Sequence, residues 1–237
     1  MFAPPGVGYD RGLLFSPQGR LYQVEYAIEA VKRGTTAVGC RNDDAVILAV
    51  EKRVSPLQEK KGMEKIFQID SHVACAISGL TADARVLIDQ ARVEAQVNIL
   101  SYDQPITVEE VTRAVCDLMQ VYTHNVGVRP FGVALLVAGV DPSGKPQLFM
   151  TDPSGAYWAY FAWAIGSGES AAREYLEQNY KRDASVEELQ LLALRALKEV
   201  METPLTSSNC ELVQITSKDK QIRRFTEDEL KALIDRT

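Results

Sequence analysis

The sequence predicts an α+β fold in which two β-sheets pack face to face between two layers of helices. The first observation is the order of segments along the 237 residues: strand pairs, two helices, strand pairs, two helices, a strand and a short helix. The second is the apolar run AVILAV, which is typical of a strand buried on both faces. The third is that the long helical segments each carry one apolar face. A four-layer αββα sandwich buries all of these faces.

An extra amphipathic helix is predicted before the sandwich. Residues 9–19 contain Gly12, Pro17 and Gly19 among short apolar runs, which indicates an extended arm that reverses direction at residues 16–19. Apolar residues then recur at steps of three and four, so a helix is expected over residues 20–33. Gly34 follows at the position where a left-handed glycine often ends a helix.

The first half of the sandwich is predicted as two hairpins followed by two helices. The second helix begins after Thr107, because Thr107 and Glu110 form the sequence signature of a capping box. His72 is expected at the tip of the second hairpin. The predicted strands cover residues 35–39, 45–54, 65–69 and 73–77, and the first helix covers residues 82–99.

The second half repeats this pattern. Ser185 with Glu188, and Thr226 with Glu229, are capping-box signatures that start two of its helices. Residues 157–164 are predicted to form one continuous strand of the second sheet. The other segments are strands over residues 131–140, 147–150 and 211–216 and helices over 169–179 and 185–201. We therefore expect one domain over residues 1–237, divided into an arm and turn (1–19), a helix (20–33) and the sandwich (35–237).

Composition excludes several classes of function. A net charge of −6 disfavours a general nucleic-acid binder, and no apolar run approaches the roughly 20 residues of a membrane span. The amino terminus lacks a signal-peptide pattern, so a cytoplasmic protein is expected. His72 and His124 are isolated, and no metal or cofactor is expected. The four cysteines lack metal-binding spacing and are expected to be buried free thiols, at Cys40, Cys75, Cys116 and Cys210.

The opening segments YDR, FSPQGRLYQVEYA and EAVKRGTTAVG closely resemble the start of α-type subunits of the 20S proteasome. The likeness runs through about residue 100 and returns in VRPFGVALLVAGVD, TDPSGAYW and AIGSG, and it fades after Ala184. The resemblance to this archaeal-like family implies the αββα fold of N-terminal nucleophile hydrolases with an extra amino-terminal helix.

Gly34-Thr35-Thr36 looks like the processing junction of the related β-type subunits, which are hydrolases with an amino-terminal threonine. Glu51 and Lys65 resemble the carboxylate and lysine that support this nucleophile. Such a threonine uses its own α-amino group, with a pKa of about 7.7–8.0, as the proton acceptor. The amphipathic helix before Thr35 is expected to stay docked, so we predict that Thr35 is uncleaved and that the chain has no catalytic residue.

The resemblance also implies residues for gating and docking. The α-type subunits form seven-membered rings that cap a β-subunit barrel, and their arms close the axial pore. The gate residues are Tyr9, Asp10, Arg11, Pro17 and Tyr26. The pocket for the carboxyl terminus of a ring-shaped regulatory ATPase comprises Leu21, Lys65, Gly79 and Leu80. The pore annulus comprises His124, Asn125, Val126 and Gly127, which departs from the commoner Tyr-Gly-Gly form.

Three functions stay open at this stage. The first is a gating and scaffolding subunit, whose partners are other α subunits, β subunits, a regulatory ATPase and unfolded proteins in transit. The second is a hydrolase that cleaves itself before Thr35. The third is a solitary binding module that uses the same sandwich without forming a ring.

Overall fold

The computed structural model describes residues 14–53, 57 and 64–237. Within these residues the chain forms six helices and ten strands. The helices are α1 (Tyr22–Lys32), α2 (Thr81–Tyr102), α3 (Val108–Val121), α4 (Glu169–Asn179), α5 (Val186–Val200) and α6 (Glu227–Ile234). The strands are β1 (Ala37–Arg41), β2 (Ala45–Glu51), β3 (Ile66–Asp70), β4 (Val73–Gly79), β5 (Val133–Val140), β6 (Pro146–Thr151), β7 (Tyr157–Ala159), β8 (Ala162–Ile165), β9 (Cys210–Thr216) and β10 (Ile222–Arg224).

The strands form two antiparallel five-stranded sheets. The first sheet has the order β10-β9-β2-β1-β8, and the second has the order β3-β4-β5-β6-β7. Strand β2 pairs with both β1 and β9, and its burial from Ala45 to Val50 is complete, as the apolar run AVILAV predicts. Both expected hairpins, β1–β2 and β3–β4, are therefore confirmed.

Three apolar clusters fill the three gaps between the four layers. Side chains such as Leu48 and Leu136 pack between the sheets. Leu189 and Leu194 of α5 pack on the outer side of the first sheet, and Leu87 of α2 packs with α3 on the outer side of the second. The αββα sandwich is confirmed, and α1 lies against β4 and β5 as the extra helix.

Local signals in the sequence locate several helix starts correctly. The capping boxes at Thr107, Ser185 and Thr226 all form, with each hydroxyl accepting the backbone N–H of the glutamate three residues later. By contrast, the N-cap residues of α1 and α2 are Leu21 and Leu80, which provide no side-chain cap. A leucine side chain cannot accept an N–H group of the first turn, as the hydroxyls of Thr107, Ser185 and Thr226 do.

The expected strand over residues 157–164 is wrong, because this segment forms two strands in different sheets. Strand β7 pairs with β6, whereas β8 pairs with β1. The chain crosses between sheets at residues 160–161, where the Tyr160 N–H donates to Leu148 O and Phe161 O accepts from the Arg41 N–H. The Tyr160 N–H thus bonds to the second sheet and Phe161 O to the first. Strand β10 and the extension of α2 to Tyr102 are further features that the sequence pattern does not predict.

Gly34 does not have the left-handed conformation expected at the end of α1. The glycines with positive φ among the described residues do not include it. A methyl group at Gly34 would lie 2.3 Å from the Gly79 nitrogen and 2.3 Å from the Ser78 hydroxyl. Glycine is required here because α1 enters the sandwich at backbone contact with β4.

Candidate functional site

The turn before α1 is held by Ser16. The Gly19 N–H donates to Ser16 O at 2.8 Å, and the Arg20 N–H donates to the Ser16 hydroxyl at 3.2 Å. Gly19 has a φ of +75°, which favours glycine, and Pro17 is fixed in φ by its ring. The predicted reversal at residues 16–19 is confirmed. Three of the expected gate residues, Tyr9, Asp10 and Arg11, lie outside the described residues.

Helix α1 continues this turn with a charged and aromatic surface. The Arg20 guanidinium binds both carboxylate oxygens of Glu25, at 2.7 and 2.5 Å, and lies 4.9 Å from the ring centre of Tyr22. Tyr22 stacks on Tyr26, with 6.4 Å between ring centres, and Tyr26 is 52% exposed. The turn bearing Pro17 is thus fastened to the helix that presents Tyr26 to solvent.

A groove of about 520 Å³ runs between α1 and the start of α2. Tyr26, Glu29, Ala30 and Arg33 form its α1 side, and Leu80 forms the other side. Leu80 is 46% exposed although it is a large apolar residue. The structure therefore brings one expected gate residue, Tyr26, and one expected pocket residue, Leu80, into the same groove.

Lys65 lies directly before β3 and points toward the start of α2. Its Nζ donates to the Thr81 hydroxyl at 3.3 Å, and its carbonyl accepts from the Ile77 N–H at 3.2 Å. Burial lowers the pKa of Lys65, and the positive charge of Arg53 lowers it further. A partly desolvated ammonium beside an uncapped helix start can bind an anion such as a carboxylate, because both attract negative charge.

Gly79 connects β4 to α2 in a conformation available mainly to glycine. Its φ is +112°, and a methyl group there would lie 2.3 Å from Gly132 O. Gly79, Leu80 and Lys65 therefore gather at the start of α2. Leu21 is the N-cap residue of α1, about 13 Å along the helix axis from Ala30, and it is not among the residues that line the groove.

The loop between α3 and β5, called the α3–β5 loop here, covers residues 122–132 and carries the expected annulus residues. His124 lies 2.9 Å through Nδ1 from Gln120 O, Val126 is 99% exposed, and Gly127 has a φ of +93° with open space around it. Arg129 anchors the far side of the loop by a bidentate pair with Asp83 of α2, at 2.6 and 2.9 Å.

The residues of the hydrolase hypothesis each have other partners. The Glu51 carboxylate accepts the Thr36 N–H at 3.2 Å, and the Lys65 ammonium donates to Thr81. Thr35 is buried, and its carbonyl accepts from the Ser78 hydroxyl, which also bonds to Val31 O in α1. The peptide between Gly34 and Thr35 is enclosed by β4 on one side and by residues 166–168 on the other.

Several residues around these features carry little signal in the sequence. Thr81 belongs to no motif, and Arg33 marks only the end of a helix. The pairing of Asp83 with Arg129 spans 46 positions, so spacing gives no signal for it. Glu211 has only the pattern of a strand residue, yet its carboxylate accepts the Lys65 N–H at 3.4 Å and pairs with Arg224.

Other expectations about chemistry are tested by burial. All four cysteines are free and buried, as predicted. His72 lies at a hairpin tip, as expected, but it is only 5% exposed and its Nε2 contacts Ile106 O at 2.7 Å.

Among the described residues there is no group of three or more potential metal ligands. None of the helices in this part of the chain is long and apolar enough to cross a membrane.

Comparison with known protein families gives two matches. The model described as "Proteasome subunit" matches residues 31–215, which is more than half of the chain. The chain belongs to the proteasome subunit family. A second model, which describes the N-terminal signature of A-type proteasome subunits, matches residues 9–30, so the arm, the turn and most of α1 carry the mark of the α type. The family resemblance of the opening segments is confirmed.

Curated relatives extend this similarity over nearly the whole chain. The proteasome alpha subunit of Pyrococcus horikoshii is 51% identical over 236 residues, covering 99% of this chain and 90% of the relative. The proteasome alpha subunit of Archaeoglobus fulgidus is 50% identical over 234 residues, covering 98% and 94%. That of Methanosarcina acetivorans is 51% identical over 228 residues, covering 95% and 92%. The similarity therefore continues beyond Ala184, where it was expected to fade.

Proposed function

We propose that this chain is a non-catalytic α-type subunit of a 20S core particle in the cytoplasm. It forms the outer ring, controls the entry of unfolded proteins into the proteolytic chamber and binds the carboxyl termini of a ring-shaped regulatory ATPase. The observation that carries the proposal is the gathering of Lys65, Gly79 and Leu80 at an uncapped helix start, beside a groove that also contains Tyr26.

The docking chemistry follows from this arrangement. A carboxylate that approaches Lys65 replaces the weak 3.3 Å contact of the ammonium with Thr81 by a charge-assisted bond. The partial positive charge at the start of α2 adds to this attraction. An apolar side chain near the carboxyl terminus of the ligand can bury the exposed surface of Leu80. Together these features suit a peptide end that is apolar and terminates in a free carboxylate.

The position of Leu21 favours a pocket between neighbouring subunits. Within one chain, Leu21 is about 13 Å from the groove-lining Ala30. We propose that, in a ring, the start of α1 of one subunit lies beside Lys65 of its neighbour, so that Leu21 and Lys65 line one pocket from two chains. This supports a docking site that is complete only after ring assembly.

The gate is proposed to use the turn at Pro17 and the exposed ring of Tyr26. The Ser16 hydrogen bonds fix this turn, and the Arg20–Glu25 pair fastens it to α1. An arm that leaves a rigid turn can adopt two alternative arrangements separated by a few kcal/mol. The α3–β5 loop, with Val126 fully exposed, is proposed to narrow the pore below the arms.

Contrasting helix surfaces support assembly with β subunits. The exposed face of α2 contains a row of apolar side chains at helical spacing, whereas the exposed residues of α5 are all charged. A large apolar row is unfavourable in water and indicates a covered surface. The α2 residues are Val86, Val93, Val97 and Leu100, and the α5 residues are Glu187, Glu188, Arg195, Lys198 and Glu199. We propose that α2 faces the β subunits.

The contacts of the segment before Thr35 support the proposed absence of catalysis. The Ser78 hydroxyl ties both Val31 O and Thr35 O to β4, and the Gly34 carbonyl accepts the Ser167 N–H at 2.9 Å. These contacts join the segment before Thr35 to the sandwich on two sides. In the intact chain the Thr35 nitrogen is an amide, which cannot accept the proton of the threonine hydroxyl.

The test of docking is Lys65→Ala in the assembled core particle, with Lys145→Ala as the control. Lys145 is exposed in the β5–β6 loop, and its carbonyl accepts the Asp141 N–H, a backbone hydrogen bond that alanine retains. We expect Lys65→Ala to abolish ATPase-stimulated protein degradation while ring assembly persists. Lys145→Ala should behave as the parent. Undiminished stimulation in Lys65→Ala would refute the docking assignment.

A further inference from the structure

The end of the α3–β5 loop, at residues 129–132, is hydrogen-bonded to the start of α2, and this set of hydrogen bonds is called the clamp here. Arg129 places two guanidinium nitrogens on the two carboxylate oxygens of Asp83, at 2.6 and 2.9 Å. The same carboxylate accepts the Gly132 N–H at 2.9 Å, and Gly132 O accepts the Leu80 N–H at 2.9 Å. Four hydrogen bonds therefore join residues 129–132 to residues 80–83.

This clamp lies directly beneath the groove between α1 and α2. A methyl group at Gly132 would lie 2.9 Å from Leu80 Cδ1 and 3.4 Å from Ala30 Cβ. The side chains that form the two walls of the groove thus close over the backbone of Gly132. A shift of the Leu80 backbone acts directly on Gly132, because the Leu80 N–H donates to Gly132 O at 2.9 Å.

The two charged partners have different surroundings. The Asp83 side chain is 11% exposed and belongs to the first turn of the 22-residue helix α2, whereas the Arg129 side chain is 61% exposed. The carboxylate is therefore the fixed element, and the arginine reaches it from the loop. Planar bidentate pairing restrains the orientation of the arginine as well as its position.

We propose that Asp83 is a positioning residue that couples the groove to the α3–β5 loop. The clamp transmits a shift at Leu80 through Gly132 and Arg129 to the exposed segment at Val126. This inference rests on the proposed function, since it assigns the ligand of the groove to the carboxyl terminus of a regulatory ATPase. Its physical basis is that the start of α2 both carries Leu80, which lines the groove, and is hydrogen-bonded to the end of the α3–β5 loop.

The experiment uses a nitroxide spin label on Val126→Cys in the assembled protein. The four native cysteines are buried, so the label attaches at position 126. Asp83→Asn is the test variant, because asparagine retains an oxygen for the Gly132 N–H but loses the charged bidentate pair. Asp89→Asn is the matched control, since Asp89 forms an ion pair with Arg92 on the same helix, at 3.1 Å.

The first readout is label mobility without any ligand. The proposal predicts a more mobile label in Asp83→Asn than in the parent and an unchanged label in Asp89→Asn, at equal oligomeric state. The second readout adds a synthetic peptide with the last seven residues of a ring-shaped activator ATPase and a free carboxylate, with the amidated peptide as its control. Peptide binding should change the mobility of the label in the parent. Asp83→Asn should bind the peptide without a change in the mobility of the label.

Two results would overturn the coupling. One is equal label mobility in Asp83→Asn and the parent, and the other is an equal peptide-induced shift in both. If the peptide fails to bind the parent, the docking part of the proposed function is wrong. The mobility comparison without ligand then decides on its own whether Asp83 positions the loop.

Discussion

Gly34→Ala tests how tightly α1 is joined to the sandwich. The new methyl group would lie 2.3 Å from the Gly79 nitrogen, 2.3 Å from the Ser78 hydroxyl and 3.0 Å from the Ser78 carbonyl carbon. Two of these atoms belong to the backbone at the end of β4 and cannot rotate away. The alanine therefore forces either the end of α1 or the end of β4 to move.

The expected cost follows from the contacts that such a movement breaks. The Ser78 hydroxyl would lose the one hydrogen bond that its single proton shares between Val31 O at 3.1 Å and Thr35 O at 3.0 Å. Each buried hydrogen bond contributes about 1 kcal/mol. Val31 is 6% exposed, and unseating it forfeits about 1.5–3 kcal/mol of apolar burial. We expect Gly34→Ala to lower the free energy of unfolding by about 2.5–4 kcal/mol.

Gly127→Ala is the matched control. Gly127 has a φ of +93° and no atom within 4 Å of an added methyl group, so only the backbone conformation is penalised. That penalty is about 1–2 kcal/mol. Urea unfolding at one fixed protein concentration measures both variants, because assembly contributes to apparent stability. A loss in Gly34→Ala no larger than in Gly127→Ala would refute the close-contact explanation, as would rescue by Gly34→Asn, which tolerates left-handed backbone.

Three further predictions concern charge, thiols and the α2 surface. The hydrogen bonds from Arg129 hold the pKa of Asp83 below its usual range. The ionised carboxylate therefore stabilises the folded protein fully above the unfolded-state pKa of about 3.9, and this stabilisation is lost as the pH falls through the lower folded-state value. Thermal unfolding should show Asp83→Asn less stable by about 1 kcal/mol at pH 7, and the difference should shrink at acid pH; a constant difference would contradict this. Burial raises the pKa of Cys40 and Cys75 to about 12, so Ellman's reagent at pH 8 should react with them only after unfolding, and rapid reaction of the folded protein would contradict their burial. Leu100 is 86% exposed, so Leu100→Ser should change the free energy of unfolding of the chain alone by no more than about 0.5 kcal/mol. Titration with β subunits should show that the same substitution weakens assembly about tenfold or more. Unchanged assembly would exclude α2 from that interface.

Features with a local cause could be predicted from the sequence. The capping boxes at Thr107, Ser185 and Thr226 depend on residues three positions apart, and all three form. The turn held by Ser16 likewise depends on four adjacent residues. The layer order followed because each apolar face has to be covered by another element.

Features that depend on distant contacts could not be predicted in this way. The segment 157–164 has continuous strand composition, yet its two halves pair with β6 and β1, which only the packed sheets determine. Gly34 sits where a helix-ending glycine is common, but its actual constraint comes from Gly79 in another hairpin. The groove and the clamp of Arg129 on Asp83 likewise arise from elements that meet only after folding.

For Lys65 the family resemblance indicated a role, and the structure supplies the physical setting. From the sequence alone this residue is one lysine among many charged positions. The fold adds its partial burial, its contact with Thr81 and its place beside an uncapped helix start. Position relative to other elements, rather than residue type, distinguishes it from the exposed Lys145.

Native mass spectrometry of the chain co-expressed with a β-type subunit tests the central claim most directly. One spectrum reports both the mass of each chain and the number of chains in the assembly. The proposed function predicts full-length chains that retain the residues before Thr35, in seven-membered rings joined to β subunits. Chains that begin at Thr35 would identify a self-processing hydrolase instead, and intact chains that stay monomeric beside the β subunit would contradict the ring.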